Sequence, residues 1–399
     1  MTNPPSYAIP SLISASRKES GTRSIYENET AFETVRSAFA FAIVIVLRLV
    51  SPRTGGAPLH RAGHSLRRAI RKGSCAICPW DLFFYEDKLY IGAGDYDKNA
   101  GPIHVWAYDT ETSAFVDTGT VPDEEVSKFL SLGDTVVIPG TDPQSDWSHG
   151  NYYVLENGAW SVCSQVEGGI HMFDMVEHEG YLFAGLGVLP GASPIVRSKD
   201  EGESFEPITM KKNGSAIDTS AYEAVRVYDF FVCGRELYAL FVYGTDTILF
   251  DLFRYESGCF SYVGDWTSSI SMLKISRKLV NSKATLGDKL YFATGCLYTT
   301  DDMNTFTVLQ PPHATAVYDL LTDRRRLYVL SAEKTEEGYR ISVSSTKTGE
   351  ADDFREEFYF YYSAPPISFE KKGDTFYFGM GSISEGNEKN GMILEVKAK

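Results

Sequence analysis

A repeated strand pattern constrains this sequence more than any other feature. Between Trp80 and the C-terminus, a turn with charged residues or glycine is followed seven times by a short apolar or aromatic run, as at 86–92 and 179–185. The anchor residue of this run recurs at positions 89, 136, 182, 237, 290, 327 and 376, a spacing of 37 to 55 residues. Self-similarity at such a period indicates a repeat architecture.

A second feature recurs later in six of the seven units, where a polar turn precedes an aromatic residue. These aromatic residues are Phe115, Trp160, Phe205, Phe260, Phe306 and Phe354. Each unit therefore contains four short strands with almost no helical periodicity. The sequence predicts an all-β fold, a seven-bladed β-propeller of four-stranded antiparallel blades, with six or eight blades or a stack of two sandwiches as alternatives. The last unit ends after its third strand, and residues 74–78 are predicted to supply the missing one.

One segment carries a family resemblance. Ser198, Asp200, Gly202, Ser204 and Phe205 occupy the fixed positions of the pattern S-x-D-x-G-x-[ST]-[FW], and residues 299–306 form a partial copy. This resembles the Asp-box (BNR) propellers, which include sialidases, xyloglucan-cleaving hydrolases and sortilin-type receptors. The resemblance implies a structural role, in which the Asp and Ser hold a β-turn and the aromatic ring packs between blades.

The arginines do not follow the sialidase pattern. In sialidases, an Arg-Ile-Pro motif supplies the first residue of an Arg triad. The corresponding region of this sequence, 75–80, contains no Arg. Four other arginines have no spacing that predicts convergence; these are Arg197, Arg226, Arg235 and Arg254. A sialidase activity is therefore not expected.

Antiparallel connectivity predicts which face of the propeller carries a site. If the strands of a blade are labelled a to d, the b–c and d–a connections emerge on one face, which we call the first face. Eight residues before four of the anchors lies an aspartate that follows an aromatic residue; these aspartates are Asp81, Asp174, Asp229 and Asp319. They either accept backbone N–H bonds at the entry of each blade or form a ring of carboxylates that binds a cation or sugar hydroxyls.

Two b–c loops add candidate ligands on the same face. Asp95, Asp97 and Asn99 alternate as oxygen ligands of Ca²⁺ do, although no EF-hand surrounds them and an ordinary polar turn is the alternative. The second loop, 141–151, contains Asp142, Asp146, Trp147 and His149. An indole with neighbouring carboxylates suits carbohydrate, because sugar C–H faces stack on aromatic rings and hydroxyls need acceptors. His104 and His171 could also reach this face.

These residues lead to three functional hypotheses. The first is a non-catalytic binding module that recognises a glycan or other small polar ligand at the first face. The second is a glycan-cleaving enzyme that uses two of the carboxylates, whose separation would determine the chemistry. The third is a protein-interaction scaffold with a protein ligand. No cofactor is expected apart from the calcium candidate.

The charge distribution divides the chain near Cys75. Residues 1–74 carry a balance of +7 and residues 75–399 one of −22, which sum to the net charge of −15. Residues 75–399 are predicted to form the propeller, and this acidic charge argues against nucleic-acid binding. Residues 1–74 are predicted to be a low-order basic extension. Its apolar run at 38–50 is short for a membrane span; an export segment and a mis-assigned start are alternatives, and membrane anchoring is not favoured. A secreted or cell-surface location is favoured over a cytoplasmic one.

Overall fold

The computed structural model describes residues 47–50, 78–94, 101–143, 149–244, 248–269, 282–323, 325–381 and 391–398. Strands dominate these ranges, and the all-β class is confirmed. Within these ranges, helical structure is limited to a 3-10 helix at Thr219–Ala221 and to residues 267–269. Across the described ranges, no helix has the length and apolar character needed to cross a membrane.

Two four-stranded antiparallel sheets open the repeat region. The first contains β2 (Asp81–Tyr85), β3 (Lys88–Gly92), β4 (Ile103–Asp109) and β5 (Ala114–Val121). The second contains β6 (Leu130–Leu132), β7 (Thr135–Pro139), β8 (His149–Glu156) and β9 (Ala159–Glu167). Each sheet is a simple meander in chain order, as expected for a propeller blade.

A ten-stranded sheet follows. Its first half contains β10 (Gly169–His178), β11 (Tyr181–Val188), β12 (Ile195–Ser198), β13 (Glu206–Pro207), β14 (Met210–Lys212) and β15 (Ser215–Ala216). Its second half contains β16 (Ala224–Cys233), β17 (Glu236–Gly244), β18 (Ile248–Glu256) and β19 (Cys259–Asp265). The two halves are joined because β11 pairs with β16, and because β14 pairs in parallel with β19.

Three more four-stranded sheets complete the described fold. One contains β20 (Ser282–Leu286), β21 (Lys289–Ala293), β22 (Leu297–Thr300) and β23 (Thr307–Leu309). The next contains β24 (Ala316–Thr322), β25 (Leu327–Thr335), β26 (Gly338–Thr346) and β27 (Arg355–Tyr362). The last contains β28 (Pro366–Lys372), β29 (Thr375–Met380), β30 (Met392–Lys397) and β1 (Leu47–Val50).

The predicted blade count is therefore wrong. Within the described residues, five sheets are four-stranded blades of a β-propeller, and residues 169–265 form one continuous sheet instead of two separate blades. Neither seven blades nor the alternatives of six or eight describe this arrangement. The prediction treated every unit as independent, whereas the main-chain pairing of β11 with β16 makes two neighbouring units continuous.

The strand that completes the last sheet also differs from the prediction. The predicted donor was 74–78, of which only Cys78 is described, whereas the structure pairs β1 in parallel with β30. The register places Leu47 opposite Leu394 and Val50 opposite Lys397. The end of the apolar run at 38–50 thus supplies backbone partners to the edge of the last sheet, while its residues 38–46 lie outside the described residues.

Burial patterns explain why the inner and outer strands differ in composition. The inner strand β17 is buried at every position after its first residue, as expected for a strand packed on both faces. The outer strand β27 alternates between exposed and more buried side chains. Aromatic residues fill the space between sheets; for example, the ring of Phe231 on β16 packs edge-on against that of Phe292 on β21, and Phe84 on β2 packs edge-on against Tyr377 on β29.

The repeated turn has a backbone cause. Gly234 and Gly287 adopt φ values of 61° and 64° in the tight turns between the first and second strands of their units. A glycine reaches this left-handed region without steric cost, so the turn can be short and the two strands pair at once.

Candidate ligand-binding site

The predicted aspartates lie on the first strands of their units, β2, β10, β16 and β24. Among the first strands, β10 contacts β16, while β24 and β2 both contact β28 of the last unit. The carboxylates of Asp81, Asp174 and Asp319 each accept a backbone N–H from the next unit. Asp81 accepts from Phe129 at 2.7 Å, Asp174 from Phe230 at 3.0 Å, and Asp319 from Phe369 at 2.8 Å. Ser282 does the same with its hydroxyl, which accepts from Leu320 at 2.7 Å. The recurring position thus joins adjacent units through side chain to backbone bonds, and we call this set the inner ring.

One half of the inner ring contains lysines. Lys283 Nζ lies 2.6 Å from Asp174 Oδ2 and 3.3 Å from Asp229 Oδ1. Lys128 Nζ lies 3.2 Å from Asp174 Oδ1 and 3.5 Å from Asp229 Oδ1. The two lysines hold the pKa of Asp174 below its usual range against the opposing effect of burial. Asp174 is therefore held as a charged group by two cations, and both cations also lie within 3.5 Å of Asp229.

In the other half, the described residues include three carboxyl groups and no cation that pairs with them. Within the described residues, Asp81, Asp319 and Glu370 make no salt bridge, and Glu370 accepts the backbone N–H of Phe84 at 3.3 Å. Burial raises the pKa of Asp319 to about 6, that of Glu370 to about 7 and that of Asp81 to about 8. Mutual repulsion adds to the effect of burial on Asp81, since Asp319 and Glu370 are its acidic neighbours.

The remaining predicted ligands are only partly described. Asp146 and Trp147 lie outside the described residues, as do the calcium candidates Asp95, Asp97 and Asn99. His149 begins β8 on the first face. No group of three or more His, Cys, Asp or Glu side chains within the described ranges is arranged to hold a metal ion.

The β11–β16 junction brings together residues from two units on the first face. Gly187 on β11 is paired with His171 on β10 and with Arg226 on β16. Residues aligned across neighbouring strands direct their side chains to the same side of a sheet. His171 and Arg226 therefore flank a position that has no side chain.

Two aromatic rings extend this row. The rings of His171 and Phe173 lie 5.3 Å apart, and those of Phe173 and Tyr228 lie 4.5 Å apart. Arg226 donates a hydrogen bond to the hydroxyl of Tyr228 at 2.9 Å. Phe173, Arg226 and Tyr228 are each partly exposed. We call His171, Phe173, Gly187, Arg226 and Tyr228 the junction site.

Arg226 has N–H groups that are available to a ligand. Within the described residues, its guanidinium makes the single hydrogen bond to Tyr228 and no salt bridge. A guanidinium carries five N–H donors in a planar fork that matches two oxygens of an acid group. The side chain can therefore bind a ligand without giving up a protein partner.

His171 is held as a neutral imidazole beside Arg226. Its Nδ1 donates to the carbonyl oxygen of Thr141, which fixes the tautomer because a carbonyl can only accept. Burial, with the nearby positive charge of Arg226, lowers the pKa of His171 to about 4. The imidazole consequently stays uncharged near neutral pH.

Asp142, predicted from the b–c loop, reaches this group. Its Oδ1 lies 3.7 Å from His171 Nδ1 and has no hydrogen-bond partner within the described residues. Burial raises the pKa of Asp142 to about 6, and Arg226 opposes that rise. The backbone N–H of Asp142 is bound at 2.6 Å by Asp123, which also accepts from the hydroxyl of Tyr153 at 3.3 Å. Asp123 therefore anchors the loop that places Asp142 beside the imidazole.

Sequence reasoning did not identify the junction site as a unit. It named His171 as a residue that could reach the face and found no spacing that connected Arg226 to it. A signal was present, because His171 and Arg226 each lie three residues before an inner-ring aspartate, Asp174 and Asp229. Equivalent positions in neighbouring units lie side by side, so this offset predicts their approach.

The turn at 198–205 lies at the opposite end of its unit. Asp200 accepts from the hydroxyl of Ser204 at 2.6 Å and from its N–H at 2.9 Å, while Ser198 accepts the N–H of Gly202 at 2.8 Å. The ring of Phe205 packs edge-on at 6.2 Å against Tyr152 of the second sheet. In the partial copy the equivalent pair is Thr300 and Asp302, one residue closer to the aromatic than the pattern predicts.

The fold and the site together define a β-propeller with a cluster of aromatic, imidazole and guanidinium side chains on one face. Comparison with solved structures finds the polysaccharide lyase Uly1, with 10% identity over 88% of this chain and 95% of that chain and a TM-score of 0.45. Sqt1 of Saccharomyces cerevisiae has 12% identity over 81% and 97%, with a TM-score of 0.40. The α-L-arabinofuranosidase Arb93A of Fusarium graminearum, in complex with an iminosugar inhibitor, has 12% identity over 78% and 99%, with a TM-score of 0.39.

Two of these three proteins are named as enzymes that act on carbohydrates. No family model matches the sequence, and the comparison with curated proteins gives no match either. The resemblance to the Asp-box propellers therefore stays a prediction that depends on the turn at 198–205.

Proposed function

We propose that this chain binds a glycan that carries an acidic group, and that it does so at the junction site. The observation that carries the proposal is the row of His171, Gly187 and Arg226, which sets a guanidinium with unused donors beside an aromatic surface. The guanidinium would bind two oxygens of a carboxylate, and the rings of Phe173 and Tyr228 would stack on C–H faces of the sugar.

The net charge of the propeller does not contradict an acidic ligand. Near the junction site, burial raises the pKa of Asp142 to about 6 and that of Glu124 to about 7. Part of the local acid is thus protonated near neutral pH, and Arg226 supplies a positive charge close to Asp142 without forming a salt bridge within the described residues. Association would still be slowed by the overall acidic surface, and added salt would relieve that repulsion.

The experiment uses pairs of polysaccharides that differ only in charge. Polygalacturonate and alginate are compared with the same polymers after carboxyl reduction, and binding to the full chain is measured by calorimetry or biolayer interferometry. We expect the acidic forms to bind, and Arg226→Gln to weaken binding about tenfold or more, because a charge-assisted hydrogen-bond pair is lost. Arg235→Gln is the matched control, since Arg235 is an exposed arginine in a turn at the opposite end of its unit.

Two results would overturn the proposal. Equal binding of the acidic and reduced polymers would show that the acidic group is not recognised. An equal loss of binding affinity in the Arg226 and Arg235 variants would show that the ligand does not bind at the junction site. An absence of binding to every polymer would refute the glycan proposal for the ligands tested.

Cleavage of the glycan is a second candidate function, and the pair of Asp142 and His171 favours it. A carboxyl group with its pKa raised to about 6 beside a neutral imidazole can exchange a proton near neutral pH. Incubating the bound polymer with the chain and measuring new chain ends separates the two functions. New ends that disappear in Asp142→Asn would indicate an enzyme, and none would indicate a binding module.

A further inference from the structure

Gly187 lies at the centre of the junction site, and its neighbours occupy the space of its missing side chain. A Cβ atom at this position would lie 2.8 Å from Cδ2 of His171 and 3.0 Å from Cε2 of Phe173. Both contacts are closer than ordinary packing permits, so any side chain would displace one of the two rings. No left-handed backbone conformation requires glycine here, and the requirement is therefore steric.

A side chain at the neighbouring Gly185 would meet different atoms. A Cβ atom there would lie 2.8 Å from the carbonyl oxygen of Val227 and 2.9 Å from its Cγ1. These atoms belong to a buried residue of β16, so Gly185 allows two strands to approach within the core. The two glycines of the Gly185-x-Gly187 repeat thus face different parts of the molecule.

We propose that Gly187 is a positioning residue for the ligand, because its missing side chain lets the rings of His171 and Phe173 lie over the β11 backbone beside Arg226. This inference rests on the proposed function. Gly187 is paired with His171 on β10 and with Arg226 on β16, so the β11–β16 pairing sets the positions of both side chains. A methyl group at this position would move the imidazole away from the guanidinium and leave Arg226 in place.

The test compares three alanine variants of the full chain. Gly187→Ala is the test variant, and Gly264→Ala is the control, because no atom lies within 4 Å of a Cβ atom at Gly264. Gly185→Ala reports the effect of disturbing the core alone. For each variant, binding of polygalacturonate and the thermal unfolding midpoint are measured, and the ring nitrogens of His171 are observed by NMR after selective ¹⁵N-histidine labelling.

We expect Gly187→Ala to shift the His171 signals and to weaken polysaccharide binding about tenfold, as overpacking displaces the two rings. Gly264→Ala should change neither. Gly185→Ala should lower the unfolding midpoint further than Gly187→Ala does, since it disturbs buried backbone.

Unchanged His171 signals in Gly187→Ala would overturn the inference, and so would binding within twofold of the parent chain. The NMR measurement needs no ligand and therefore separates the two proposals. If no polysaccharide binds but the His171 signals move, the proposed function fails while the role of Gly187 in placing the imidazole is supported.

Discussion

The two halves of the inner ring handle buried carboxyl groups in opposite ways. Around Asp174 and Asp229, two lysines from neighbouring units neutralise two carboxylates. Around Asp81, Asp319 and Glu370, the described structure supplies backbone N–H donors and no cation. The same position in the repeat is therefore charged on one side of the centre and shifted toward the protonated form on the other.

The difference shows what a buried acid needs in order to join two units. Accepting a backbone N–H is common to both halves, so this bond accounts for the recurrence of the residue. The lysines in one half compensate the cost of burying two charges. The other half avoids part of that cost because its carboxyl groups bind protons more tightly than they would in water.

The largest expected effect comes from removing a charge in the lysine-containing half. Asp174→Asn leaves Lys128 and Lys283 with one carboxylate between them, and breaking a buried pair in this way costs roughly 3–5 kcal/mol of unfolding free energy. Asp81→Asn is the matched variant in the other half; an amide oxygen can still accept the N–H of Phe129, so the loss near pH 7 should stay within about 1 kcal/mol. Urea denaturation measures both.

Equal losses of unfolding free energy in Asp174→Asn and Asp81→Asn would contradict the difference between the two halves. A larger loss for Asp81→Asn would show that its carboxyl group is charged and compensated after all. Lys289→Met is a further control, because the pair of Lys289 and Glu350 is exposed and should contribute little.

The second prediction concerns pH. The pKa values of Asp319, Glu370 and Asp81 are raised in the folded chain, so the native state holds protons that the unfolded chain has already released. Their contribution to stability is complete below about pH 4 and is lost as the pH rises through about 6 to 8. The urea midpoint of the parent chain should therefore fall between about pH 5 and pH 8.

A triple variant isolates these groups. Asp81→Asn, Asp319→Asn and Glu370→Gln together should flatten the decline without abolishing it, because Asp123, Glu124 and Asp142 also have raised pKa values. His171 acts in the opposite direction, since its lowered pKa makes stability fall as the pH drops below about 6.5. An equally steep decline in the triple variant would show that Asp81, Asp319 and Glu370 do not control the decline.

Much of the fold could be predicted from the sequence because its signals are local. Turn glycines such as Gly234 and the anchor residues that follow them place the strands of each unit. The fixed offset from those anchors identified Asp81 and Asp319, and the structure places both beside the next unit. Pairing between units carries no such local signal, and the β11–β16 pairing that joins two units was therefore missed.

The candidate site was predicted in part for the same reason. Asp142 follows from the composition of its loop, and His171 was recognised as able to reach the face. Their association with Arg226 depends on a two-residue strand pairing, Gly187 with Arg226 and Val188 with Val225, which a repeat pattern does not specify. The contact of Lys283 with Asp174 was missed because the two residues lie more than one hundred positions apart in the chain.

The smallest expected effect lies outside the inner ring, in the turn at 198–205. Asp200 is exposed, and the hydroxyls of Ser198 and Ser204 lower its pKa to about 2 through hydrogen bonds to the carboxylate. Asp200→Ala removes these bonds but leaves Phe205 packed against Tyr152, so the thermal unfolding midpoint should fall by less than in Asp174→Asn. Because the pKa is lowered, the contribution of Asp200 is present above pH 4 and is lost only as the pH falls toward about 2. Scanning calorimetry of both variants at about pH 7 and pH 3 tests this ranking, and the difference between Asp200→Ala and the parent chain should shrink at the lower pH. A loss for Asp200→Ala as large as that for Asp174→Asn would mean that the exposed turn contributes as much to stability as the lysine-containing half of the inner ring.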